Sequence, residues 1–435
     1  MGTFIRRAFV VAVNCVVLIA LIVSIELYCR WKYPVTSPQF PSTNGIWQKY
    51  APYVMFLTAP GTYDGWTNTF TGQSYPAHVV TNSLGFNDTH EFDYEKPYQK
   101  AANERVVLFS GGSVAWGLGS TSTETTVAGR MQYYLNTMQS TVKYTVINFG
   151  MGSYIAFQQY IALELWGESF DPDWVVVMDG SNDSGVGCAY SQGTGNPMFY
   201  ALTQAYIMSY LFSSRNPPFY RGWLENKLIQ HSAAYRKLTG KQYVPEQLAF
   251  DTSSKEEMAV RRAIIPTKTG QARDMLAFYI KAEKAILALF PKARYILSTQ
   301  PNVNQFTGDF VDIYASPSDS AAHREAMAAR DAALEAYLTH HEDEACTAAN
   351  MQPSSAYIYS KGAIELERLV DKAREGGRYV SYYNIGAILP NERAERIPFF
   401  LDPVHLADKG ADVIGRFYAE KILAAEKDGA RPASR

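Results

Sequence analysis

Arg105-Val106-Val107-Leu108-Phe109-Ser110-Gly111-Gly112-Ser113 is the stretch on which the reading of the chain turns. Val106 to Phe109 form a short apolar strand that breaks at once into small and polar residues. A helix follows, with Val127, Met131, Tyr134, Leu135 and Met138 at helical spacing. The alternation then repeats. Tyr144 to Ile147 is the next strand and ends in Asn148-Phe149-Gly150-Met151-Gly152, and a helix runs from about Ala156 to Trp166. Trp174 to Met178 is a third strand, breaking at Asp179-Gly180. Tyr295 to Ser298 is another, after an amphipathic helix from about Arg273 to Phe290. Strands this continuously apolar suit a parallel sheet covered on both faces, so the expected fold is a three-layer α/β/α arrangement around a central parallel sheet.

Outward from this core, residues Ala8 to Tyr28 form an apolar run interrupted only by Asn14, Ser24 and Glu26. About 20 helical residues cross a hydrocarbon core, so the run is long enough for one transmembrane helix. It ends in Glu26-Leu27-Tyr28-Cys29-Arg30-Trp31, which offers no small-residue cleavage site, and Trp31 and Tyr33 fit an interfacial belt. An uncleaved anchor is expected. Arg6 and Arg7 oppose Arg30 and Lys32, and a short amino-terminal tail before a large domain places that domain outside. The expected location is therefore single-pass, with the large domain periplasmic or extracellular.

Residues 34–100 are rich in Pro, Tyr, Gly, Asn and Thr and read as a stalk plus a wrapped extension with short strands. The expected main domain is 101–426, after a tail and anchor at 1–33 and before a flexible tail at 427–435. Between about 185 and 267 the α/β pattern lapses into an insertion with Tyr200, Tyr206, Tyr210, Tyr220 and Trp223, read as a helical cap. The Ala-rich stretch from Ser320 to His341 reads as a surface helix. No internal repeat is evident.

Composition narrows the function classes. The 435 residues are 47% hydrophobic and 19% charged, which is globular, and a net charge of −2 leaves no electrostatic footprint for nucleic acid. Thirty tyrosines suit sugars and amphipathic ligands, although core packing accounts for most such rings. Cys15 and Cys29 belong to the anchor region, and Cys188 and Cys346 could equally be one disulfide or two buried thiols.

Three strands run directly into small, polar loops, so Ser113, the Gly150–Ser153 loop and Asn182 should converge on the carboxyl edge of the sheet. Several common sites are excluded there. No lysine follows Gly112 and Gly117 as a P-loop requires, and Ile155 stands where the dinucleotide fingerprint needs a small residue. Ala115 occupies the place of the second glycine of an α/β-hydrolase elbow. His340-His341 beside Glu342 and Asp343 is the one metal-like cluster, and a solvated helix end explains it better. No metal or cofactor is expected.

Four blocks, in order, resemble those of SGNH (GDSL-like) hydrolases. Gly111-Gly112-Ser113-Val114-Ala115-Trp116-Gly117 resembles the first and Asn148-Phe149-Gly150-Met151-Gly152-Ser153 the second. Gly180-Ser181-Asn182-Asp183 is similar to the third, and Asp402-Pro403-Val404-His405 to the last, Asp-x-x-His, with a helix expected from Lys409 to Ala424. The resemblance spans about 300 residues and implies a flavodoxin-like sheet in a membrane-anchored, bacterial-type member of the family. There are two departures. Position 112 is Gly where many members carry Asp, and the family's oxyanion glycine falls at Ser153, with Gly152 next to it.

The resemblance implies roles. Ser113 is the nucleophile, His405 the base that activates it, and Asp402 the group that orients and stabilises the imidazolium. The oxyanion hole would comprise the Ser113 N–H, the Gly152 or Ser153 N–H and the Asn182 side chain, while Asp183 braces its loop. The implied reaction is acyl transfer through an acyl-enzyme. Location and aromatic content favour O-acyl groups, acetyl above all, on an envelope or exported carbohydrate or lipid. A polysaccharide O-acyltransferase with the same triad and a silent glycan-binding module are the alternatives. Nucleic acid is excluded as a partner.

Overall fold

The structure, a computed structural model of the full chain, describes residues 2–32, 39–40, 48–51, 53–93, 95–139, 141–184, 228, 232–239, 271–303, 325, 328–329, 331–336, 352–390 and 392–427. Residues 1–39 and 208–247 make up one compact unit, and residues 40–207 and 248–435 the other.

The first unit is built on helix α1 (Gly2–Lys32), whose most apolar stretch reaches a mean hydropathy of 2.9 with no residue of it buried. It is long and apolar enough to cross a membrane. Glu26 is the acidic interruption of that run, and it is well used. Its carboxylate accepts hydrogen bonds from Ser232 Oγ at 2.8 Å, Ala233 N at 2.9 Å and Ala234 N at 3.2 Å, and pairs with Arg30 at 2.9 Å. Ala233 and Ala234 open the short helix α5 (Ala233–Thr239). Of the expected insertion, only Leu228 and Ser232 to Thr239 are described. Tyr200, Tyr206, Tyr210, Tyr220, Trp223, Cys188, Cys346, the His340 to Asp343 cluster and the tail beyond Lys427 lie outside the described residues. Within the expected 320–341 helix, residues 325, 328–329 and 331–336 are helical.

The two-residue strand β1 (Gln39–Phe40) falls at the division of the chain between the units, and four further short strands follow in the second. β2 (Gln48–Ala51) pairs antiparallel with β3 (Met55–Thr58), and β4 (Thr62–Thr67) with β5 (Ser74–Val80). Five strands form the main sheet: β6 (Glu104–Gly111), β7 (Lys143–Gly150), β8 (Trp174–Asp179), β9 (Arg294–Thr299) and β10 (Val380–Asn384). Their order is β10-β9-β8-β6-β7 and every neighbouring pair is parallel. The chain steps from β6 out to β7, then returns to the other side of β6 for β8. The strand order thus reverses between β6 and β8, the switch point at which parallel α/β sheets open a crevice.

Period-two alternation divides the core between two faces. Val106, Leu108, Val175 and Val177 pack one way, with helices α4 (Ala156–Ala162), α6 (Gln271–Leu289) and α7 (Gln352–Glu375) supplying Ala162, Ile286 and Ile364. Val107, Phe109, Val176 and Met178 pack the other way, against Met131 and Leu135 of α3 (Val127–Thr137) and Ile414, Tyr418 and Ile422 of α9 (Asp408–Lys427), which follows the short helix α8 (Arg393–Arg396). The expected three-layer α/β/α fold is the one observed. Neither β10 nor α7 is foreseen by the apolar pattern, because Val380-Ser381-Tyr382-Tyr383-Asn384 carries one aliphatic residue and lies at the sheet edge.

The segment before the sheet is part of the core. Phe86 and Phe92 are buried against Phe149, with the Phe92 and Phe149 rings stacked 4.5 Å apart. Asp88 Oδ2 accepts the Asn148 N–H on the outer edge of β7, which covers an edge that would otherwise be open to pairing. Tyr63 and Trp66 close a third cluster around Trp116, a residue of the short helix α2 (Ser113–Trp116). Trp66 Nε1 donates to Ser120 O at 2.7 Å and Trp116 Nε1 to Gly85 O at 3.0 Å. Replacing fully buried Trp66 with Ala empties this cluster and orphans a carbonyl. The expected cost is about 3–5 kcal/mol, read as a lower denaturant midpoint by circular dichroism of the full chain, and an unchanged midpoint would contradict this packing.

Candidate active site

Ser113 is the first residue of α2, immediately beyond the carboxyl end of β6. Its backbone N–H, like every first-turn N–H, has no partner within the helix and points out of its amino end. The side chain is 9% exposed, and Oγ lies 2.7 Å from His405 Nε2. His405 Nδ1 lies 2.7 Å from Asp402 Oδ2. The other Asp402 oxygen accepts the backbone N–H groups of Val404 at 2.9 Å and His405 at 2.7 Å. Burial alone would raise the Asp402 carboxyl, but the His405 ring and these backbone donors outweigh it and hold the group below the usual carboxylate range. Asp402 is therefore ionised at neutral pH. It fixes the imidazole proton on Nδ1 and leaves Nε2 to accept the Ser113 hydroxyl.

The two halves are laced together. Asp408, at the start of α9, accepts Thr121 N at 2.9 Å and Thr121 Oγ at 2.6 Å. Gly119 adopts φ +102, and a Cβ there would stand 2.2 Å from Leu406 O, so only glycine allows the α2 loop and the His405 loop to approach this closely. Leu401 N donates to His405 O at 2.8 Å. Sequence reasoning missed Asp408, although an acidic residue opening a helix was a readable signal.

The second and third blocks meet the first through Asn182. Its Nδ2 donates to Tyr154 O at 2.8 Å and stands 2.6 Å from where a Cβ on Gly112 would be. Any side chain at 112 would push the Asn182 amide aside, which accounts for glycine at this position. Gly152 is buried and Ser153 half-buried in the turn leading to Tyr154. Ser153 has φ +63, the left-handed conformation that favours glycine. Asp183 accepts Ala156 N at 3.1 and 3.2 Å and braces the start of α4. The structure therefore brings Ser113, Asp402 and His405 into one hydrogen-bonded line, and Asn182 beside the loop that precedes Ser113.

No protein-family model matches the chain, and no curated protein matches it. Solved structures do. The family 3 carbohydrate esterase of Clostridium thermocellum is 10% identical, with 75% of this chain and 99% of that chain covered at a TM-score of 0.33. A catalytic mutant of an acetylxylan esterase from Geobacillus stearothermophilus is 12% identical, covering 74% and 96% at 0.35. A two-domain esterase active on acetylated mannans is 13% identical, covering 76% of this chain and 50% of that one at 0.31. At these identities and scores the likeness is one of outline, and the chemistry of the site has to come from its own geometry.

Two outcomes follow. The Asp402 pKa is lower folded than unfolded, so its contribution is present above the unfolded value near pH 4 and is lost as pH falls through the folded value. Asp402→Asn should flatten the acid side of the stability curve, and parallel wild-type and variant curves below about pH 4 would contradict the assignment. Ser153→Gly should raise stability by about 0.5–1 kcal/mol, because glycine adopts positive φ without the cost of a Cβ. A lower midpoint would show that the serine side chain does more than tolerate its backbone.

Proposed function

We propose that the chain is a serine acyl hydrolase of the SGNH type, with Ser113 as nucleophile, His405 as general base and then acid, and Asp402 as its orienting carboxylate. The observation that carries this reading is the unbroken line from Asp402 through His405 to Ser113 Oγ, two hydrogen bonds of 2.7 Å, at the carboxyl edge of a parallel sheet. A serine hydroxyl is a weak nucleophile until a base takes its proton, and this line supplies the base in the right tautomer.

In the proposed cycle Ser113 Oγ attacks an ester carbonyl while His405 Nε2 takes the hydroxyl proton. The oxyanion is met by the Ser113 N–H, by the N–H of Gly152 or Ser153, and by Asn182. One Asn182 N–H is committed to Tyr154 O, which orients the amide and leaves the second to donate. Collapse of the adduct breaks the ester C–O bond, and His405 returns its proton to the departing alcohol. Water then adds to the acyl-enzyme by the same route and releases the acid.

The proposed substrate is an O-acyl ester, with acetyl preferred, on a carbohydrate or lipid of the envelope. Two features support it. Helix α1 is long and apolar enough to hold the protein at a membrane, and the carbohydrate esterases among the solved structures share this outline.

The test is hydrolysis of p-nitrophenyl acetate by the full chain in detergent, beside Ser113→Ala and Asn182→Ala. Ser113→Ala should lower kcat on the order of 10³-fold or more, and Asn182→Ala about 10²–10³-fold. Equal activity in wild type and Ser113→Ala would end this reading.

A further inference from the structure

Beneath the Asn182 turn lies a group of acids for which the proposed mechanism has no use. Asp179 is the last residue of β8 and is 3% exposed; Asp183 is 5% exposed and Glu283, on α6, is fully buried. Tyr279, one turn before Glu283, donates its hydroxyl to Asp179 Oδ1 at 2.8 Å. The Glu283 and Asp179 carboxyls lie within hydrogen-bonding reach of each other. Asp179 Oδ2 and both Glu283 oxygens have no donor from the described residues.

Among the described residues, every other group facing this pocket is neutral or acidic. Gln159 of α4 approaches Asp179, Tyr418 of α9 lies near it, and Asp183 adds a third carboxyl. No lysine, arginine or histidine among the described residues acts on any of the three acids. Two adjacent buried carboxylates without a cation repel strongly, whereas an acid and a carboxylate form a short, charge-assisted hydrogen bond. What this pocket lacks is one proton, and three orphaned oxygens stand where it would sit.

We propose that Asp179 and Glu283 hold one proton between them and that this pair is the positioning element for Asn182, an inference that rests on the oxyanion role proposed above. Asp179 leads directly into Gly180, which turns at φ +90, and Ser184 N closes the turn on Gly180 O at 3.1 Å. Asn182 projects from that turn to Tyr154. The pair thus fastens α6 to the residue that feeds the oxyanion loop. Burial pushes both carboxyls above the usual range, and for Glu283 the neighbouring acids add to it. Because these folded values are raised, the pair's stabilisation is full below the unfolded carboxylate range and is lost as pH rises through the folded values. Loss of the proton leaves two buried anions, and the turn must give.

Glu283→Gln supplies an amide N–H in place of the proton and is the informative variant, with Asp179→Asn as its reciprocal. Three readings are taken on the full chain. Infrared spectroscopy should show a protonated-carboxyl band in wild type that either substitution removes, beside the band of buried Asp183, which Asp183→Asn removes separately. Amide protection across residues 180–184, taken relative to the intrinsic base-catalysed exchange rate, should fall with rising pH in wild type and hold in Glu283→Gln. The alkaline limb of p-nitrophenyl acetate hydrolysis, with Ser113→Ala as blank, should move up by about one pH unit or more in Glu283→Gln, with neutral activity kept within about threefold.

Absence of the band in wild type would overturn the shared proton. A band lost in Glu283→Gln with exchange and rate profiles unchanged would overturn the positioning role. If Ser113→Ala hydrolyses as well as wild type, the esterase reading fails by itself, and the infrared and exchange results still decide the pair.

Discussion

The hydrogen bond between Ser113 Oγ and His405 Nε2 joins residues 292 positions apart in the chain, and most of the local architecture serves to hold its two ends. A single hydrogen bond contributes only about 1 kcal/mol net, far too little to order two loops by itself. Its geometry is instead a consequence of redundancy. Ser113 is fixed by β6 below it and by Trp116 three residues later, which is clamped under Tyr63 and Trp66. His405 is fixed by Asp402 on its ring, by Leu401 on its carbonyl and by the Asp408–Thr121 bonds just beyond it. An error of about 1 Å in such a pair can cost about 10²-fold in rate, so this lacing is worth more than its summed energies suggest.

Two aspartates show how one sheet edge shifts carboxyls in opposite directions. Asp402 is partly exposed and receives two backbone N–H groups on one oxygen and an imidazole on the other, so both oxygens have donors. Asp179 is buried, receives one tyrosine hydroxyl, and faces another acid. The residue type is the same, and solvent access and donor count decide the direction of the shift. Environments that divide identical groups in this way mark the functional end of a fold, because the hydrophobic faces of the sheet have no need of them.

How much of this the chain discloses in advance depends on the range of each interaction. Strands β6 to β9 and their breaks were readable because apolar runs ending in small and polar residues are local patterns. The Asp402-x-x-His405 spacing was equally local. Strand β10 was not readable, since Tyr382 and Tyr383 at a sheet edge do not make an apolar run. The clamp of Trp66 on Ser120 spans 54 residues and that of Trp116 on Gly85 spans 31, and no periodicity announces either. The same holds for Glu283. On an amphipathic helix it reads as one more solvated charge, and only the fold shows that it points into the layer beneath β8.

The loop proposed to hold the oxyanion makes the dependence on the preceding extension plain. Ser153 sits in a left-handed conformation that costs an L-residue about 1–2 kcal/mol, so something on either side must hold it there. On one side Met151 is fully buried and its sulfur receives Thr58 N and Thr58 Oγ. On the other, Tyr154 is fully buried, donates its hydroxyl to Phe56 O at 2.8 Å and packs edge-on to the Phe56 ring. Both restraints come from strand β3, far upstream of the sheet. A segment whose composition reads as a stalk plus a wrapped extension is therefore what keeps the strained turn from relaxing, and with it the carbonyl that orients Asn182. Removing that segment would leave the sheet and its serine in place while freeing the loop that the chemistry needs fixed.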